Sequence, residues 1–281
     1  MHASPQTGPI AGVKENLALA LLAGCFWGLT LLEPWDLSSV AGEWIYYLQG
    51  TAWLAFVLIH GSRRYGWDGL FVFSGITLFV SWSVETVALA TRFPFGDYYY
   101  TGLLGARIGA VPMAVLAAYF VAGYLAWTMG TLFLGELGTG IKRRNLLLVP
   151  LIAGALMVAW DLCLDPIKST IEGAWVWEGG GAYHGVPIAN FLGWFLTVFM
   201  ICLLFAVYLY RARANIPVGQ NRIYWSLVPV MYLGLALPYL LNPFHQAEHL
   251  QIYWASFLVC ILTMVPASVL TIVRVHRMDT A

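Results

Sequence analysis

Charge is what this chain has least of. Its 281 residues include 14 Lys plus Arg and 14 Asp plus Glu, 10% in all, against 60% apolar residues. A soluble domain carries roughly a quarter charged residues, so a water-exposed globule is excluded. With a mean hydropathy of +0.74, the chain has lipid as its solvent. The formal net charge of zero excludes the basic footprint of a nucleic-acid-binding protein. Cysteine is sparse as well. Cys25, Cys163, Cys202 and Cys260 all fall in apolar stretches and none forms a C-x-x-C pair. A disulfide framework or a cysteine zinc site is thereby disfavoured, and the four read as small apolar residues. No polar stretch is long enough for a separate soluble domain. The first sixteen residues lack the basic start and small-residue cleavage site of a signal peptide, so the first apolar stretch is expected to stay in the protein.

What is present is a series of apolar runs, each close to the 20 or so residues a helix needs to cross a bilayer. Eight qualify, at about 17–35, 44–60, 69–91, 111–134, 146–164, 188–210, 224–241 and 252–273. They predict an all-α, polytopic transmembrane bundle of about eight spans. A short tail (1–16) precedes a single integral-membrane domain (17–273), and a second tail (274–281) follows it. With the N-terminus in the cytoplasm, eleven cations fall on that side: Lys14, Arg63, Arg64, Lys142, Arg143, Arg144, Arg211, Arg213, Arg222, Arg274 and Arg277. Arg92, Arg107 and Lys168 fall on the other. That bias follows the positive-inside rule and places both termini in the cytoplasm of an inner (plasma) membrane protein. The outer face then holds Glu33, Asp36, Glu43, the Arg92–Arg107 loop, the long 165–187 loop and residues 242–251.

Three carboxylates stand inside apolar runs: Glu85, and the pair Asp161 and Asp165. A charge at bilayer depth costs about 2.5–3.5 kcal/mol on insertion scales, so such groups face a protein interior or a wet cavity. Asp161 and Asp165 are four apart and share a helix face. Two carboxyls that close in low dielectric should not both ionise, and a retained proton beside an ionised partner suits acid–base chemistry. Asp165 reads equally well as ending its helix before Pro166 at the outer headgroups. The outer loops beside these carboxylates are rich in glycine and aromatics, from Phe93 to Thr101 and from Trp175 to Pro187. An interfacial aromatic belt with glycine turns accounts for single Tyr and Trp residues, less well for their concentration here. A weak repeat also runs through the region. Val111-Pro112 and Val186-Pro187 each open a helix, and Glu85 and Asp161 each end the preceding one. Proline is favoured in a first helical turn. Chance recurrence and true duplication both account for the pattern.

Two stretches resemble signatures of the membrane carotenoid-biosynthesis family, which contains carotenoid 1,2-hydratases of the γ-carotene and bisanhydrobacterioruberin type. The first is Pro94-Phe95-Gly96, Tyr98, Tyr100, Thr101, Leu104-Gly105 and Val111-Pro112. The second, more specific, is Asp161, Asp165-Pro166, Trp175, Trp177, Gly179-Gly180, Tyr183, Gly185-Val186-Pro187, Asn190-Phe191 and Gly193-Trp194-Phe195. Tyr119 stands where that family commonly has Trp, and Gly181-Ala182 adds small residues. The resemblance implies addition of water to the terminal C1–C2 double bond of a linear carotenoid such as lycopene or γ-carotene, near the outer leaflet and without a metal or organic cofactor. Such a hydration needs a proton source, a positioned water and aromatic faces for a cation, and the residues suggest roles. Asp161 and Asp165 supply the proton and Glu85 orients water, or the reverse. Phe95, Tyr98, Tyr100, Tyr183 and Trp194 line the pocket. Asn190 holds the water or product hydroxyl, or caps its helix.

Three rival activities remain open. A carotenoid cyclase would use the same protonation, with an internal alkene capturing the cation. His245-Gln246-Ala247-Glu248-His249 reads H-x-x-E-H, the inverted zincin pattern, and suggests a metal-dependent membrane hydrolase if both histidines share a helix face. A non-catalytic lipid binder or transporter would also use intramembrane carboxylates. Membrane lipid is the expected surrounding partner, and nothing in the sequence specifies an oligomeric state.

Overall fold

The computed structural model describes residues 9–32, 39–216 and 218–278. Residues 1–8 of the expected N-terminal tail, Glu33 and Asp36 of the expected outer face, and residues 279–281 of the C-terminal tail lie outside the described residues.

The architecture is an all-α membrane bundle. In lipid every backbone N–H and C=O must be paired within the protein, and the apolar runs meet that demand as helices. They are α1 (Pro9–Leu32), α2 (Ser39–Thr91), α3 (Met113–Phe133), α4 (Leu148–Asp165), α5 (Ile188–Ala212), α6 (Arg222–His245), α7 (Leu250–Leu262) and α8 (Met264–Arg277). Among the described residues, six stretches are long and apolar enough to cross a membrane: Trp44–Thr91, Met113–Phe133, Arg143–Ile171, Ile188–Ala212, Arg222–His245 and Leu250–Arg277. Asn16–Leu32 is a shorter apolar helix.

The 53 residues of α2 would span about 80 Å if straight, far more than the roughly 30 Å of a hydrocarbon core. Gly66 breaks the helix with φ 69° and ψ 169°, a backbone region essentially restricted to glycine. The chain folds back there, because Tyr46 and Trp53 before the break line the same cavity as Glu85 after it. The two apolar runs expected at 44–60 and 69–91 are the two limbs of α2.

The basic segments gather at one pole. Arg64 is buried and donates to Thr131 Oγ1 (2.8 Å) and to the Glu136 carbonyl (3.0 Å). Arg63 reaches Asn16 and Gln220. Arg213 donates to the Tyr65 carbonyl. Asn16 near the start of α1 donates to Asn221 at the cap of α6 (3.1 Å), and Arg274 in α8 lies beside Gly135. Both ends of the described chain therefore stand at this pole. Beneath it the main core packs Tyr65, Tyr124, Trp127, Tyr224 and Trp225. His60 is stacked on Tyr224 at 4.0 Å and paired with the Tyr124 hydroxyl at 2.7 Å.

At the opposite pole the loops are more ordered than expected. β1 (Tyr98–Tyr100) pairs antiparallel with β4 (Trp175–Trp177), joining Tyr98 to Trp177 and Tyr100 to Trp175. The Thr101 and Glu178 amides extend the ladder to the Ala174 and Asp97 carbonyls. β2 (Arg107–Ile108) pairs with β3 (Val111–Pro112). A second small core of Ala88, Phe95, Tyr98, Trp177, Val186 and Phe191 lies under this layer.

The sequence repeat has a geometric counterpart. Pro112 and Pro187 are both N-caps, with φ −66° and ψ 138° and 141°. β1 and β4, one strand from each unit, pair with each other. Tyr119 and Trp194, seven residues beyond each proline, stack at 4.1 Å and 13°. The two units thus contact each other at equivalent positions.

Several expected boundaries move. The helix expected from about 111 starts at Met113, because Val111–Pro112 is in a strand. The loop expected from 165 begins later, since a π-helical turn over Pro166–Ile171 continues α4. Pro166 sits in its first turn, where a missing N–H costs little. The span expected at 252–273 is broken at Thr263, three residues before Pro266, which cannot bond back to the preceding turn.

Candidate active site

The three intramembrane carboxylates converge beneath the β1–β4 layer. Glu85, buried on the second limb of α2, accepts three phenolic hydrogen bonds. Tyr98 and Tyr100 donate to Oε2 at 2.5 and 2.8 Å, and Tyr119 on α3 donates to Oε1 at 3.2 Å. The strand makes this possible: alternate residues of β1 point to one face, so both hydroxyls reach one carboxylate. Burial, followed by the Glu85 charge, pushes the Tyr98 and Tyr100 phenols above their ordinary value. They remain donors.

Asp161 and Asp165 are buried one turn apart on α4. The Asn190 side chain, in the first turn of α5, donates to Asp161 Oδ2 at 3.1 Å and to Asp165 Oδ2. Trp175 on β4 donates its indole N–H to Asp165 Oδ1 at 2.6 Å. Each strand of the pair therefore serves one carboxylate centre.

Both centres border a cavity of about 190 Å³. Its polar wall is Glu85, Asp165, Asn190 and Lys168, the last ion-paired to Glu172 at 2.7 Å, and its aromatic wall includes Phe95, Tyr98, Tyr100, Trp175, Trp177 and Trp194. Asp161 is not on the wall and is joined to it by its hydrogen bond from Asn190. Gly193 makes room for Phe95, since a Cβ there would meet the Phe95 ring and stand 3.1 Å from Pro94 Cγ. A carboxylate held by three hydroxyl donors, facing a second carboxyl across aromatic faces, can move protons and stabilise a cation.

Residues 42–266 match the family described as carotenoid biosynthesis protein. The chain belongs to that family. One similar protein is a bisanhydrobacterioruberin hydratase from Haloarcula japonica (strain TR-1). It is 32% identical over 131 residues, which make up 46% of this chain and 42% of the relative. The match thus spans less than half the length of that curated relative. No solved structure matches the chain.

Of the residues singled out in the sequence, Glu85, Asp165, Phe95, Tyr98, Tyr100, Asn190 and Trp194 border one cavity. Tyr183 does not. It packs edge-on against Phe191 at 5.5 Å, and its hydroxyl is buried without a partner. Gly181 has a steric reason, since a Cβ there would overlap the Val186–Pro187 backbone. Sequence reasoning missed Tyr46 and Trp53, which reach the cavity from a segment outside both signatures, and Trp160, Ala114 and Ala118, which carry no motif. Trp175 and Trp177 lay within a signature without a role assigned to them. Tyr119 was marked only by standing in place of Trp. Its hydroxyl is a third donor to Glu85.

The H-x-x-E-H reading required His245 and His249 to be one turn apart on a helix. They are not. Helix α6 passes through Pro243 to end at His245, and His249 caps α7 with φ 52°. The segment is exposed and does not line the cavity. Among the described residues no group of three or more His, Cys, Asp or Glu is placed to hold a metal ion.

Proposed function

We propose that this protein adds water across the terminal C1–C2 double bond of a linear carotenoid end group. Asp165, backed by Asp161 through Asn190, gives a proton to C2 of the alkene and leaves a tertiary cation at C1. The π-faces around the cavity stabilise that cation. A water bonded to Glu85 adds its oxygen to C1 and passes a proton to the Glu85 carboxylate. The product is a tertiary alcohol. One proton must return from Glu85 to Asp165 before the next turnover, so the pair is restored without net consumption. General acid–base assistance of this kind contributes about 10²–10⁴-fold.

The observation that carries this reading is the convergence of two separately held carboxylate centres, Glu85 and Asp165, on one aromatic cavity. Membership of the carotenoid biosynthesis family and the hydratase name of the relative point to the same substrate class.

The proposal includes a topology of eight passes with both termini cytoplasmic and the cavity toward the outer leaflet of an inner (plasma) membrane. The fold-back at Gly66, the shared pole of the chain ends and the cation bias support it.

The test is expression in a bacterial host that accumulates lycopene, with pigments analysed by liquid chromatography and mass spectrometry. A more polar pigment heavier by one water is expected. A pigment of unchanged mass and altered retention would replace hydration with cyclisation. Absence of any change with lycopene and then with γ-carotene would refute the assignment to linear end groups.

A further inference from the structure

The cavity is small and only partly enclosed. At about 190 Å³ it is only somewhat larger than a 150 Å³ cavity that takes one benzene. It therefore encloses an end group of about ten carbons at most, and the rest of a long polyene must lie outside it. Most of the deep walls are closed: Glu85, Phe95, Tyr98, Asp165, Trp177 and Asn190 are all buried. The rim is different. Tyr46, on the first limb of α2, is 56% exposed yet lines the cavity. Ala114 and Ala118, one turn apart on α3, also line it and are half-buried. They border the exposed stripe of Met113 and Ala117 on the same helix. Small side chains thus stand where the cavity wall passes into the lipid-facing surface. A second observation marks the interior as a binding site: the indole N–H of Trp177, on the wall, is buried with no partner.

We propose that Ala114 and Ala118 form the sill of a lateral portal through which the polyene chain leaves the cavity into the bilayer. The inference rests on the hydration reading for the identity of the occupant. The portal makes Ala114 and Ala118 determinants of chain length, while end-group chemistry is read deeper in. An end group without a long tail needs no portal once inside.

The experiment compares a full-length acyclic carotenoid with a ten-carbon acyclic terpene bearing the same terminal dimethyl alkene. The proteins are the full-length wild type, Ala118→Phe, Ala114→Phe and, as a control on the adjoining exposed stripe, Met113→Phe. The ratio of long to short turnover should fall at least tenfold in Ala118→Phe and Ala114→Phe and stay within twofold in Met113→Phe. A ratio unchanged in both alanine variants would overturn the portal.

Binding gives a readout that does not need turnover. The full-length polyene should quench the indole emission of Trp53, Trp160, Trp175, Trp177 and Trp194 in the wild type. The alanine variants should require at least tenfold more of it. Quenching at wild-type concentrations in both variants would also overturn the portal. If quenching behaves as expected but no hydrated product forms from either substrate, the hydration reading fails and the portal stands. If one variant does not fold, the other carries the test.

Discussion

At the residue scale the site is an arrangement of donors around buried carboxylates. Glu85→Gln keeps the volume but removes the charge that three phenols serve. Hydration should fall about 10²-fold or more, with thermal unfolding of the detergent-solubilised protein little changed. Asp165→Asn should do the same. Asp161→Asn should cost less, because Asp161 acts through Asn190 and is not on the cavity wall. Equal losses at Asp161 and Asp165, measured as initial rates of product formation, would put the working proton on the pair as a unit. Tyr183 makes a different prediction. Burial raises its phenol from 10 to about 12. Across that window the unfolded chain releases a proton that the folded chain keeps. Stability is therefore undiminished below pH 10 and declines as pH rises toward 12. Tyr183→Phe should flatten that decline in a pH series of melting temperatures. At neutral pH it should cost little, since the hydroxyl it removes is already unpaired. The sequence made the carboxylates conspicuous, because charge in an apolar run is rare. It could not rank Asp161 against Asp165, because a shared helix face does not say which member meets a cavity.

At the element scale the decisive features are turns. Gly66 holds a backbone conformation that costs other residues about 1–3 kcal/mol, and nothing crowds its missing Cβ. Gly66→Ala should lower stability by that amount through strain alone, read as a fall in melting temperature, with hydration per folded molecule retained. Gly193→Ala should act in reverse. Its Cβ would displace the Phe95 ring, so activity should drop at least tenfold while melting changes less. The Val-Pro repeat was legible as a pattern, and both prolines occupy the same capping position. The pairing of β1 with β4 was not legible. Three-residue strands lack a periodic signal, and their partner lies 77 residues away. The end of α6 was misplaced for a related reason. Proline usually stops a helix, yet α6 contains Pro229, Pro238 and Pro243.

At the scale of the whole molecule, the poles differ in charge and in content. One gathers the basic segments and both described chain ends, and the other the strand pairs and the cavity. If the basic pole faces the cytoplasm, a reporter fused after Arg277 should be active only as a cytoplasmic marker. One inserted at Gly179–Gly180 should be active only as an outer-face marker. The opposite pattern would move the cavity to the inner leaflet.

Hydropathy, charge placement and the few buried-looking carboxylates are local properties, so the membrane bundle, its alternation of basic and non-basic connections and the carboxylates of its candidate site could be read along the chain. Which side chains share a cavity is not local. Tyr46 and Trp53, Ala118, and Trp160 come to the site from three different helical segments, and the phenols of Tyr98, Tyr100 and Tyr119 meet on Glu85 only because β1 and α3 pack around it. Apolar residues look alike to any rule based on hydropathy, and only close packing separates those that face lipid from those that face a substrate.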